Sequence, residues 1–126
     1  MNHIVLIFVG GGLGSLVRYG MSKSLAGYSS AFPAGILAVN ILACLILGIF
    51  SGWAALRTGD TAGYRAFLAV GFCGGFSTFS TFSNDTVQLF MNNYWTEAIL
   101  NIALSLVFCL GATILGMWIG KQFLAA

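Results

Sequence analysis

Charge is so scarce in this chain that it constrains the architecture before any motif is read. Five basic and three acidic side chains serve 126 residues, and 59% of the residues are hydrophobic. A soluble domain carries about 25% charged residues, and so few charges would not cover a water-soluble fold of this length. The apolar content also excludes a disordered chain. Arg18, Lys23, Arg57, Arg65 and Lys121 are too dispersed to form a basic footprint for nucleic acid. The expectation is a single all-α transmembrane domain over residues 1–126, partnered by the lipid bilayer.

A crossing helix needs about 20 mainly apolar residues. The charges leave room for four, at approximately residues 4–25, 33–56, 66–90 and 98–120. Arg18 lies near the far end of the first span, where its long side chain can snorkel to the interface. Pro33 suits a first helical turn, because its missing N–H would have had no helical partner. Arg57, Gly59 and Asp60 read as a loop, and Asn92, Asn93, Tyr94 and Trp95 as a turn carrying interfacial aromatics. The N-terminus lacks the basic start of a signal peptide and is expected to be a retained first helix. Cys44, Cys73 and Cys109 fall in separate apolar stretches without metal-ligand spacing, and read as small buried hydrophobes.

Each span carries a glycine pair at four-residue spacing: Gly10 and Gly14, Gly48 and Gly52, Gly71 and Gly75, Gly116 and Gly120. Lipid tails are as apolar as leucine, so helices associate in a bilayer by close packing, which small residues one turn apart allow. Four spans place Arg57, Arg65 and Lys121 on one side of the membrane and Arg18 and Lys23 on the other. That is almost no bias under the positive-inside rule. A chain without bias can insert both ways, and two opposite copies can pair about a two-fold axis in the membrane plane.

The chemistry concentrates in the third span, in Gly71-Phe72-Cys73-Gly74-Gly75-Phe76-Ser77-Thr78-Phe79-Ser80-Thr81-Phe82-Ser83. Five of the seven residues from Ser77 to Ser83 carry hydroxyls, behind two adjacent glycines. Two readings stand. The helix breaks near Gly74–Thr78 and frees carbonyls at Gly74 and Ser77 for a hard cation, or it continues and the hydroxyls bond back to carbonyls four residues earlier. Phe79 and Phe82 share a face of any following helix. Their positive ring edges, with the Ser80 and Thr81 hydroxyls, suit the path of an anion; the plainer reading is two packing rings. Asn40 offers two N–H donors, for a ligand or for a neighbouring helix. Asn101, Ser105, Cys109 and Thr113 recur every four residues, a polar track that serves either as glue or as a pore wall. No carboxylate lies mid-span, which disfavours proton coupling, and no base–nucleophile pair suggests an enzyme.

Taken together these residues resemble the Fluc (CrcB) family of bacterial fluoride channels along essentially the whole chain. The likeness runs through Gly11-Gly12-Leu13-Gly14-Ser15-Leu16-Val17-Arg18-Tyr19, Pro33-Ala34-Gly35, Val39-Asn40 and the Gly71–Ser83 signature. It implies an antiparallel dual-topology homodimer with two fluoride pores in the bacterial inner membrane. It implies a structural sodium ion at the dimer centre, held by backbone carbonyls of Gly74 and Ser77. Phe79 and Phe82 match the pore phenylalanines, which different subunits contribute to each pore, and Asn40 matches the pore asparagine. Ser105 and Thr113 fall on the fourth-span track, and Arg18 matches a vestibule arginine. Asp85 stands where the family often has Glu, and Asn101 and Cys109 lie where members vary. The implied role is passive fluoride export: HF enters neutral, dissociates inside, and the negative-inside potential expels the anion.

Two other functions share the four-span outline. A small dual-topology drug or metabolite exporter needs an acid inside its first span, and none lies between Met1 and Lys23. A non-transporting scaffold accounts for the glycine pairs but leaves the hydroxyl–phenylalanine segment without a purpose.

Overall fold

The computed structural model describes residues 2–26 and 31–124, and the described residues are helical with short connections. Helix α1 (His3–Leu25) opens with the Asn2 side chain accepting from the Ile4 N–H, which satisfies one of the donors a helix start leaves open. Helix α2 (Ala34–Ala55) follows Pro33 directly. The third span is composite: α3 (Ala62–Tyr64), a π-helical stretch (Arg65–Cys73), α4 (Gly74–Phe76) and, after two extended residues, α5 (Phe79–Met91). Helix α6 (Trp95–Ile119) runs on into a π-helical end (Gly120–Leu124). Four of these runs are long and apolar enough to cross a membrane, the third being Ala62–Met91.

The third run starts ahead of Arg65 because Asp60 accepts from the Ala62 N–H at 2.8 Å and Thr61 C=O from the Arg65 N–H at 2.9 Å. Between α5 and α6 the chain turns in three residues, with Asn93 at φ 65°. Asparagine tolerates that left-handed conformation better than most residues. Close to the first connection, the Arg57 guanidinium lies 4.7 Å over the Trp53 ring, an anchor of the kind found at membrane interfaces.

Two glycine seams assemble the bundle. Along the first, α1 lies backbone to backbone against residues 62–76. A Cβ added at Gly10 would strike the Phe67 carbonyl, one at Gly14 the Phe72 carbonyl, and one at Gly75 the Gly11 carbonyl. Along the second, α2 lies against α6, with Gly48 facing Thr113 and Gly52 facing Met117, while Gly116 and Gly120 face Leu45 and Ile49. The spacing alone predicted close contact; the structure supplies the partners. Between the seams sits a small core of Val39, Ala43 and Phe76, covered by Met21, Ile46 and Phe72. The Phe72 and Phe76 rings meet with centroids 5.4 Å apart. This core ties α1, α2 and the third span together immediately beside the helix interruption.

Candidate functional site

The third span breaks at Ser77 and Thr78, which are extended (ψ 154° and 116°), whereas Gly74 remains helical at φ −63°, ψ −38°. The continuous-helix reading is therefore excluded, and the break falls on the hydroxyl residues, after the glycine pair. Gly75 serves the α1 seam instead. What fixes the break is Asn40, one span away. Its Oδ1 accepts from the Thr78 N–H at 2.8 Å, and its Nδ2 donates to the Thr78 C=O at 3.1 Å. One side-chain amide thus satisfies both backbone groups of a residue that the helix has abandoned, which an apolar surrounding would otherwise penalise heavily. Thr78 then caps α5: its Oγ1 accepts from the Thr81 N–H at 3.2 Å and meets the hydroxyls of Thr81 and Ser80 at 3.0 and 3.1 Å.

This arrangement releases two carbonyls. In an unbroken helix the N–H of Thr78 would bond to the carbonyl of Gly74, and that of Thr81 to the carbonyl of Ser77. Both N–H groups are bonded elsewhere, to Asn40 Oδ1 and Thr78 Oγ1. The Gly74 and Ser77 oxygens are hard donors of the type that binds a small cation. Gly74 is exposed, and a Cβ built on it meets nothing within 4 Å. Among the described residues no group of three or more His, Cys, Asp or Glu could hold a metal.

Next to the break is a groove of about 230 Å³ between α2, α5 and α6. Asn40, Thr78, Phe79, Phe82 and Ser105 line it, with Cys44 and Cys109 at its wall. The Phe79 and Phe82 rings lie 5.4 Å apart, tilted by 40°, and Phe79 is 77% exposed on the single chain. Asn40 has two N–H bonds to give, and among the described residues only the one to Thr78 is used. Among the described residues the buried Ser105 hydroxyl has no hydrogen-bond partner. One unspent amide donor therefore lies at the groove, with an unpartnered hydroxyl buried in its wall. Behind Phe82 the polar chain continues inward: its carbonyl accepts from Thr86 Oγ1 at 2.7 Å, which in turn accepts from Asn101 Nδ2 at 2.9 Å.

The remaining candidates are placed apart from the groove lining. Ser80 and Thr81 belong to the hydroxyl network of Thr78. Thr113 gives its hydroxyl to the Cys109 carbonyl at 2.9 Å, at the level where α6 touches Gly48. Arg18 is half-buried on α1. Asp85 lines a separate cavity of about 300 Å³ with Pro33, Gln88 and Tyr94. Asn101, 1% exposed, holds Thr86 and does not face the groove. Sequence reasoning missed Thr78, although a hydroxyl residue directly ahead of a helical run is the usual signal of an N-cap.

Four helices long and apolar enough to cross a membrane, the third interrupted beside a groove lined by Asn40, Ser105 and two phenylalanines, define a small multi-pass membrane protein. Residues 5–117 match the family model described as CrcB-like protein, Camphor Resistance (CrcB). The chain belongs to this CrcB family. It is 37% identical to a protein of Bacteroides fragilis named fluoride-specific ion channel FluC, over 98% of this chain and 99% of the relative. Proteins of the same name from Flavobacterium psychrophilum and Coxiella burnetii are each 38% identical, over 97% and 95% of this chain and 99% and 98% of theirs.

Proposed function

We infer that this protein is a fluoride-selective ion channel, and not an enzyme, which lets fluoride leave the cytoplasm passively across the bacterial inner membrane. The observation that carries the reading is the Asn40–Thr78 clamp, which holds the break open beside Phe79, Phe82 and the unpartnered Ser105 hydroxyl. Fluoride is small and strongly hydrated, so it enters a narrow path only where fixed donors replace its water. The second N–H of Asn40 and the Ser105 hydroxyl supply them. The phenylalanine ring edges add positive potential without a full charge that would trap the ion. The negative-inside membrane potential drives the anion out.

The working unit of this reading is an antiparallel homodimer. The near-balance of Arg57, Arg65 and Lys121 against Arg18 and Lys23 supports insertion in both orientations. The exposure of Phe79 on the single chain supports a groove wall completed by the partner. A sodium ion at the dimer centre, when bound, supplies positive charge that ties the two breaks together. The carbonyls of Gly74 and Ser77, freed from the helical ladder, would hold it. Thr113 and Arg18 belong in this reading to the outer parts of the path, at one end of the α6 track and at the vestibule.

The test is ion efflux from liposomes carrying the purified protein, loaded with fluoride or with chloride and supplied with an ionophore to balance charge. Rapid fluoride release without chloride release is expected. Folded, reconstituted protein that releases no fluoride would overturn the reading.

A further inference from the structure

The α2–α6 seam sets a register that extends beyond its glycines. Gly52 faces Met117 and Gly48 faces Thr113, and both helices run in the same direction. One turn earlier on each, Cys44 comes opposite Cys109; one turn earlier again, Asn40 comes opposite Ser105. The structure bears out this stepping: all four residues line the same groove. Neither cysteine is in a disulfide, and both are half-buried. The seam therefore closes on glycine at Gly48 and Gly52, and its continuation through Cys44 with Cys109 and Asn40 with Ser105 lines the groove.

Two cysteines in register on adjacent helices, lining one groove, offer the donor set of a soft, two-coordinate cation. Among the described residues no larger His, Cys, Asp or Glu cluster exists to satisfy a four-ligand metal. We propose that Cys44 and Cys109 form a soft-metal site in the wall of the groove, taking a monovalent d10 cation such as silver(I) or copper(I), and that filling it stops fluoride conduction. Two S–H bonds break, two S–metal bonds form, and two protons pass to water; no electron is transferred. The resulting bis-thiolate unit carries one negative charge next to an anion path, so it repels fluoride as well as narrowing the groove. The blocking half of the proposal rests on the groove being the conducting path; the binding half does not.

The experiment uses silver nitrate in chloride-free buffer on the full-length protein, read by native mass spectrometry in detergent and by fluoride efflux from liposomes. One silver per chain is expected, with efflux falling by about tenfold or more and returning on addition of excess thiol. Cys44→Ala and Cys109→Ser should each lose both the bound silver and the inhibition. Cys73→Ala should keep both, since Cys73 is buried and outside the groove lining. Silver binding that survives Cys44→Ala or Cys109→Ser, or that is absent from the wild type, would overturn the site. Silver bound by this pair without loss of efflux would overturn the block. A protein that binds silver through the pair but never conducted would overturn the functional reading and leave the site standing.

Discussion

The two ends of the α2–α6 seam use the same register for opposite purposes. At Gly48 and Gly52 the helices touch through their backbones, with no room for even a methyl group. Two turns from Gly48, at Asn40 and Ser105, the same two helices line a groove. A short chain in a bilayer can thus pack backbone to backbone at one end of an interface and keep a groove at the other. Without a hydrophobic drive between helices, cohesion comes from close packing, so the glycines carry assembly. Backbone that leaves the helix must be satisfied by protein, so the clamp from Asn40 holds the break. Stability and conduction are therefore separable along one interface, and substitutions at its two ends should fail differently.

The largest effect is expected from Asn40→Leu. It leaves the N–H and C=O of Thr78 without partners, a loss of roughly 2–6 kcal/mol for two unsatisfied buried groups, and it removes the groove's amide donor. Fluoride efflux should vanish and the melting temperature in detergent should fall. Efflux of ordinary rate would dissolve the distinction between the two ends. Next comes Gly52→Val, which drives a side chain into the Met117 carbonyl and should cost about 1–3 kcal/mol of overpacking. Thermal stability should drop and less folded protein should be recovered, while the protein that does fold should conduct with unchanged fluoride selectivity. Lost selectivity would mean that the seam shapes the path directly. The smallest effect is Ser105→Ala. Its hydroxyl has no protein partner to lose, so the melting temperature should hold, whereas efflux should slow by about tenfold or less, the value of one hydrogen bond.

The sequence was legible where chemistry acts locally. Charge scarcity marks the spans, and Pro33 and the loop around Asp60 mark their edges, because these signals need no knowledge of neighbours. The glycine pairs announce close contact but not with whom: Gly14 meets the Phe72 carbonyl and Gly48 meets Thr113 only after the chain has folded back. The break was legible as a region, since hydroxyls crowd one side of a glycine pair. Its position was not, because Asn40 selects Thr78 from another span. Thr78 itself was one hydroxyl among five in the pattern, and only its extended backbone distinguishes it. The cysteines read singly as small hydrophobes; the shared register of α2 and α6 brings two of them to one groove.

The central claim is that the groove beside the break, and not the exposed apolar surface around it, carries fluoride. Phe79 tests it most directly, because on the single chain it is 77% exposed and looks like an ordinary lipid-facing ring. Fluoride efflux should be measured from liposomes carrying wild type, Phe79→Ile, or Gly111→Ala, the last at an exposed position where an added Cβ meets nothing within 4 Å. Phe79→Ile should fold with an unchanged melting temperature and lose fluoride efflux, while Gly111→Ala should conduct like wild type. Equal efflux from all three proteins would contradict the central claim.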